Sequence, residues 1–284
     1  MSTSLMSRLA KNTDSKFASV LSDADHLTND WMIPTNIPTL NIALSGSIHG
    51  GVHPGVTTIA GESRSFKTTI GLIMAKAYLD ANPDGIILFY DCEFGARKTM
   101  LENVGIDTKR VFHTPFTNLE ELRNDIVGQL DQIKPEDNVF ILIDSIGNTA
   151  SKKEVNDALE GNSAEDMTRA RKLKSLYRII TPQINLKKIP MVGINHVYKD
   201  MAMYPQTHMS GGQGPMLSSD TVLFMTRQKM KEGTQVSGHH FNMKVEKSRF
   251  VKEQSKIPIS VHMEDGIYPW SGLLDMSLDM GYIT

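Results

Sequence analysis

From Ile37 onward the chain alternates short apolar runs with longer amphipathic stretches. Residues 56–60, 85–90, 139–143 and 190–194 read as strands, and 139–143 contains no polar residue. Uninterrupted runs of this kind mark strands buried on both faces of a parallel sheet. Residues 68–79 read as a helix, and residues 119–133 as an amphipathic one with Leu119, Leu122, Ile126, Leu130 and Ile133 on one side. A further helix is expected over roughly 164–185, with Pro182 ending or kinking it. Residues 221–227, 240–245 and 256–262 are strand-like and joined by short polar links, which suggests antiparallel strands appended to the parallel core. The expected fold class is α/β: a mainly parallel twisted sheet with antiparallel strands at the C-terminal end, and a ligand at the strand C-termini.

Residues 1–30 stand apart from this pattern. They are polar with scattered apolar positions such as Leu5, Leu9, Phe17, Val20 and Leu21. They suit a short helix that docks on another surface, or a frayed end. Arg8, Lys11 and Lys16 are interspersed with Asp14, Asp23 and Asp25, and no apolar stretch of a secretory signal is present. The chain has 284 residues and a single cysteine, Cys92, so an internal disulfide framework is excluded. No run approaches a bilayer span, and the expected location is cytoplasmic. The formal net charge of −2 argues against nucleic-acid binding through overall charge. Any such contact must come from local basic clusters.

Between the first strand and its helix lie Gly61, Glu62, Ser63, Arg64, Ser65, Phe66, Lys67 and Thr68, followed by Thr69. This is the position of a phosphate-binding loop, whose N–H groups and helix N-terminus cradle phosphates. Lys67 would reach the β- and γ-phosphates of ATP, and the Thr68 hydroxyl would bind Mg²⁺. The residue before the lysine is usually glycine; here it is Phe66, which bears a steric cost if φ is positive. The run Val139–Asp144 ends in an acid, as a Walker B strand does, and Asp144 would hold Mg²⁺ through water. The strand at 85–90 ends in Asp91, Cys92 and Glu93, and either carboxylate could orient the attacking water.

Residues 169–188 hold seven basic residues and no acidic one. Arg171, Lys174 and Arg178 share a helical face. Such a face is often merely solvated. Residues 196–219 form a polar, methionine-rich stretch too long for an idle connection. Gly211, Gly212 and Gly214 would make it mobile, and Met201, Met203 and Tyr204 would offer surfaces to unpaired bases.

These motifs in order resemble the RecA-type recombinases: the phosphate loop, Asp91-Cys92-Glu93-Phe94-Gly95, Leu142-Ile143-Asp144-Ser145, Gly193-Ile194-Asn195-His196 and the glycine-rich 210–214. The flanking text at 44–52, 151–154 and 245–249, and the phenylalanine before Lys67, resemble the phage UvsX-type branch more than bacterial RecA. The likeness runs from about Arg8 to the end of the chain. It implies a RecA-type P-loop ATPase core over residues 31–284, with residues 1–30 docking on a neighbouring subunit. Glu93 is then the catalytic carboxylate in preference to Asp91, and His196 senses the γ-phosphate ahead of a second DNA-binding loop at 196–219. The first loop falls at about 152–166. Lys247 and Arg249, alternating on a strand, would reach a neighbour's ATP in trans. Arg171 and Arg178 would contact the DNA backbone, and Trp270 would lie near adenine.

The implied activity is a DNA-dependent ATPase that forms a helical filament on single-stranded DNA and exchanges it with a homologous duplex, with single-strand-binding and loader proteins as further partners and no membrane. A hexameric helicase motor and an ATP-binding paralogue scaffold are the rival readings. The resembling chains continue well past residue 284, so functions lodged there do not carry over.

Overall fold

The computed structural model describes residues 5–15, 17–24, 31–161, 168–279, 281 and 283. Two compact units divide at Trp31. In the first, Met1–Trp31, helix α1 spans Leu5–Lys11 and leaves Leu5, Met6 and Leu9 exposed.

The second unit, Met32–Thr284, runs α2 (Pro38–Ser45), β1 (Gly55–Gly61), α3 (Lys67–Ala81), β2 (Ile86–Asp91), α4 (Lys98–Val104), β3 (Val111–Pro115), α5 (Leu119–Gln132), β4 (Val139–Asp144), α6 (Lys152–Leu159), α7 (Arg169–Leu186), β5 (Pro190–Lys199), β6 (Thr207–Met209), α8 (Gln213–Ser218), β7 (Thr221–Glu232), β8 (Gln235–Ser248), β9 (Lys256–His262), β10 (Gly266–Ile267) and α9 (Leu273–Asp279). The strands form one sheet in the order β10-β9-β8-β7-β1-β5-β4-β2-β3, with β6 paired to β5. From β7 to β3 the pairing is parallel; β8, β9 and β10 are antiparallel.

Why the central strands read as apolar runs is visible in β4, where every residue is buried. Ile141 and Ile143 pack with α5 and α7 residues such as Leu122, Ile126, Leu173 and Tyr177. The alternate positions turn to the other face, where Phe140 meets Tyr78 of α3 and a Cβ on Gly71 would touch Leu142. Each fully buried side chain of this kind contributes about 1.5–3 kcal/mol.

Three expectations need correction. Pro182 lies inside α7 and does not end it. Ile180 and Ile184 on the core-facing stripe are both fully buried, and that burial offsets the roughly 3 kcal/mol cost of an internal proline. Residues 196–219 are not a loop throughout. Strand β5 continues to Lys199 and returns as β6, pairing Val197 with Met209, which pack on Ala60, Val222 and Phe224. Gly211 and Gly212 serve close packing: a Cβ on Gly211 would lie 2.4 Å from Leu173 of α7, and one on Gly212 would lie 3.2 Å from Ala170. Finally, the first-loop region begins as helix α6, started by a Ser151–Glu154 capping box; residues 162–167 lie outside the described set. Among the described residues, no helix is long and apolar enough to cross a membrane.

Candidate functional site

Asp91 at the end of β2 pairs with Asp144 at the end of β4, and Gly61 at the end of β1 pairs with His196 of β5. The loop after β1 therefore opens beside the acids that end β2 and β4. Ser63 to Thr69, Glu93, Gly95, Met100, Asp144, Ile194 and His196 line a cleft of about 430 Å³.

Within that loop, Phe66 has φ of 70° and ψ of 12°, the left-handed conformation that a glycine adopts without strain. A phenylalanine there costs about 1–2 kcal/mol. Its ring stacks on Phe241 of β8, with centroids 5.2 Å apart and planes 24° apart, which offsets about 0.5–1.5 kcal/mol. The loop reverses as a phosphate cradle requires despite the missing glycine.

Lys67 is buried, and burial lowers its pKa. Its ammonium donates to the Glu62 carbonyl at 2.8 Å, so it lies over the loop that would hold phosphate. Thr68 Oγ1 donates to Asp144 Oδ2 at 2.7 Å. The other oxygen, Asp144 Oδ1, is buried with no hydrogen-bond partner among the described residues. Burial pushes the Asp144 carboxyl up to about 6. A half-buried threonine paired with a buried aspartate that keeps an unpartnered oxygen, next to a phosphate loop, is a donor set that fits a hydrated divalent cation.

Glu93 and Asp91 are separated by their surroundings. Asp91 is buried with both oxygens engaged: Oδ1 accepts from the Glu93 and Phe94 N–H groups at 3.1 and 2.7 Å, and Oδ2 lies 3.2 Å from His113 Nε2. It shapes the turn after β2. Glu93 instead lines the cleft, and its Oε1 accepts from His196 Nε2 at 2.7 Å and from the Ser145 hydroxyl. The His196 hydrogen bond holds its carboxyl below the usual carboxylate range.

Lys247 and Arg249 are remote from this cleft. Lys247 pairs with Val222, and its ammonium donates to the Met216 and Leu217 carbonyls at 3.1 and 2.9 Å. Arg249 lies just beyond β8, not on it, so strand alternation with Lys247 does not hold. Its Nε sits 2.7 Å from Asp220 Oδ1, while Asp220 Oδ2 accepts from the Val56 N–H at 2.9 Å. Arg249 is thus tied to the start of β1, the opposite end from the phosphate loop. Trp270 is 71% exposed and is not among the residues lining the phosphate cleft or the groove beside it that Phe66, Thr69, Gly266 and Ile267 border.

Six of the seven basic residues of 169–188 divide by contact. Lys172 pairs with Glu120 at 2.9 Å, Lys187 donates to the Ile133 carbonyl at 2.7 Å, and Arg169 donates to the Thr149 and Gly147 carbonyls. Arg171, Lys174 and Arg178 remain exposed on one face of α7. At the tip of the β5–β6 hairpin, Met201, Met203 and Tyr204 are each more than 80% exposed. Sequence reasoning missed Ser145, Asn195 and Arg169 as parts of this arrangement. Asn195 Oδ1 accepts from the His196 N–H, and its Nδ2 donates to the Ser210 carbonyl. Only Ser145's place directly after the strand acid could have drawn notice.

A family model of the RecA N-terminal domain matches residues 9–268. The chain is 46% identical to the recombination and repair protein of Enterobacteria phage T4 over 280 residues, 99% of this chain and 72% of that one. It is 26% identical to the RecA proteins of Streptomyces rimosus and Cutibacterium acnes, over 89% of this chain and 65% and 71% of theirs.

Proposed function

The chain belongs to the RecA family, and from that premise we propose that it is an ATP-dependent recombinase that coats single-stranded DNA as a helical filament and exchanges it with a homologous duplex. The observation that carries this reading is one cleft holding Lys67, Thr68, Asp144, Glu93 and His196, with His196 on the strand that runs into the exposed hairpin.

ATP is the substrate. Lys67 would bind its β- and γ-phosphates, leaving the Glu62 carbonyl for them, while the N–H groups of 61–69 enclose the phosphate chain. Thr68 and Asp144 would hold Mg²⁺, which when bound neutralises charge on the phosphate oxygens. Glu93 is the group that orients the attacking water and accepts its proton. Its lowered pKa keeps it ionised for that purpose at neutral pH. His196 would move from Glu93 toward the γ-phosphate, and the β5–β6 hairpin would shift with it.

Arg249 cannot serve its own subunit's phosphates, because it is tied at the Val56 end of β1 and Val56 and Gly61 are about 17 Å apart along the strand, while the Lys247 ammonium is held by the Met216 and Leu217 carbonyls. Their place at the far end of the sheet supports donation to a neighbour's site. Arg171 and Arg178 would make salt-dependent backbone contacts, and Met201, Met203 and Tyr204 would meet bases. Residues 1–30 would dock on the adjoining subunit, and single-strand-binding and loader proteins would act on the filament in the host cytoplasm.

The test is ATP hydrolysis with and without single-stranded DNA for wild type and Lys67→Ala, followed by strand exchange. Strong stimulation by DNA that the variant lacks, with exchange of homologous strands, is expected. Slow hydrolysis indifferent to DNA would sink the reading, and unwinding without exchange would favour a helicase motor.

A further inference from the structure

We propose that Arg169 is a positioning residue that ties the basic helix α7 to Glu93, so that DNA held on α7 sets the rate of ATP hydrolysis. The inference rests on the recombinase reading above.

Arg169 opens α7, two residues before Arg171, yet its guanidinium is turned away from the exposed basic face. Nε donates to the Thr149 carbonyl at 2.7 Å and Nη2 to the Gly147 carbonyl at 2.5 Å. Both acceptors belong to the turn 145–149 that follows β4, and this turn supplies one of the two donors that hold Glu93 and packs on the backbone of the other. Ser145, its first residue, donates its hydroxyl to Glu93 Oε1. The Ile146 N–H donates to the Ile194 carbonyl at 2.9 Å, and a Cβ on Gly147 would lie 2.7 Å from the His196 nitrogen, so the turn also packs on the backbone of the second donor. Thr149 Oγ1 closes the turn by donating to the Ser145 carbonyl at 2.7 Å.

A guanidinium presents its donors in a rigid planar fork, so it holds the two carbonyls as one body. Phosphate contacts at Arg171 that displace the first turn of α7 must carry Arg169, and through it the turn bearing Ser145 and touching His196. The carboxylate of Glu93 is then re-aimed relative to the phosphate cleft. Small changes of this kind matter, because a misplacement of about 1 Å costs on the order of a hundredfold in rate.

The test compares wild type, Arg169→Ala, Arg169→Lys and Arg171→Ala by steady-state ATP hydrolysis over a poly(dT) titration. Poly(dT) affinity is measured separately with a non-hydrolysable ATP analogue. For Arg169→Ala we expect poly(dT) affinity and the KM for ATP within about twofold of wild type, while kcat at saturating DNA falls about tenfold or more toward the DNA-free value. Arg169→Lys keeps one donor and recovers part of the stimulation. Arg171→Ala shows the opposite split, with weaker DNA affinity and near-normal kcat once DNA saturates.

Full stimulation in Arg169→Ala overturns the proposal. So does a loss of DNA affinity matching Arg171→Ala with kcat restored at saturation, because Arg169 would then be a phosphate contact. If circular dichroism shows Arg169→Ala unfolded, Arg169→Lys decides alone, and wild-type stimulation there overturns it. A wild type without DNA-stimulated hydrolysis fails at the recombinase reading itself, and the inference falls with it.

Discussion

His196 and Glu93 are 103 positions apart, yet His196 Nε2 lies 2.7 Å from Glu93 Oε1. Because the acceptor is a carboxylate, the ring nitrogen carries the hydrogen. The bond favours the charged carboxylate and is the largest cause of its lowered pKa. It also links Glu93, in the turn after β2, to the strand that continues, three residues on, into the exposed hairpin.

Removing that donor should alter the pH profile as well as the rate. A base must be ionised to act, so the acid limb of kcat/KM reports the Glu93 carboxyl of the nucleotide-free enzyme, where the His196 bond is made. In His196→Ala the limb should move to higher pH, because the group returns toward its ordinary value. The neutral-pH rate should fall about tenfold or more, and Glu93→Gln should cost about 10²–10⁴. An unmoved acid limb in His196→Ala would show that the bond does not govern the carboxyl.

Phe66 and Phe241 should be energetically coupled. Phe66→Gly relieves a left-handed phenylalanine but discards the stack, so stability should change by less than about 1 kcal/mol. Phe241→Ala leaves the strain and removes the partner, and should be the more damaging single change. A double-mutant cycle in urea should return a coupling of about 0.5–1.5 kcal/mol. A coupling near zero would mean that the loop holds its conformation without the stack.

Much of this arrangement was legible because it is local in sequence. The strand ends that carry Lys67, Glu93 and Asp144 announce themselves by apolar runs followed by a loop or an acid, since buried parallel strands need unbroken apolar residues. What was not legible depends on contacts between distant segments. Strand β3 is an edge strand with exposed residues such as Phe112, so it lacks the apolar run. The hairpin of β5 and β6 is fixed by Val197 and Met209 packing on β1 and β7, which no window of sequence contains. The glycines at 211 and 212 suggested mobility, whereas the contact with α7 explains them. Asp91 and Glu93 were indistinguishable by spacing and are separated only by what each oxygen touches.

Asp144 should trade stability for function. Its carboxyl has an ordinary value of 3.8 and is raised to about 6. Between these values the folded chain binds the extra proton, so stability falls as pH rises from about 4 to 6 and stays lowered above. The full shift corresponds to roughly 3 kcal/mol as an upper figure. Asp144→Asn should therefore raise the metal-free melting temperature at pH 7.5 while abolishing Mg²⁺-dependent hydrolysis. Added Mg²⁺ with ATP should stabilise wild type more than the variant. A variant less stable than wild type without metal would contradict the burial argument.

Donation in trans by Arg249 makes a prediction about mixtures that no single variant provides. Arg249→Ala keeps an intact phosphate loop, and Lys67→Ala keeps an intact arginine. If each site is completed by the next subunit, an equimolar co-filament places an intact loop beside an intact arginine at about a quarter of its head-to-tail interfaces. Hydrolysis should then recover toward about a quarter of the wild-type rate, although each variant alone is nearly inactive. If Arg249 acted within its own subunit, every subunit in the mixture would still carry one defect, and no recovery would occur. The tie between Arg249 and Asp220, whose other oxygen is bound to the Val56 N–H at the start of β1, sets the expectation of recovery. DNA-stimulated ATP hydrolysis across a mixing series decides it, since a peak at the equimolar point arises only when the two halves of a site come from different subunits.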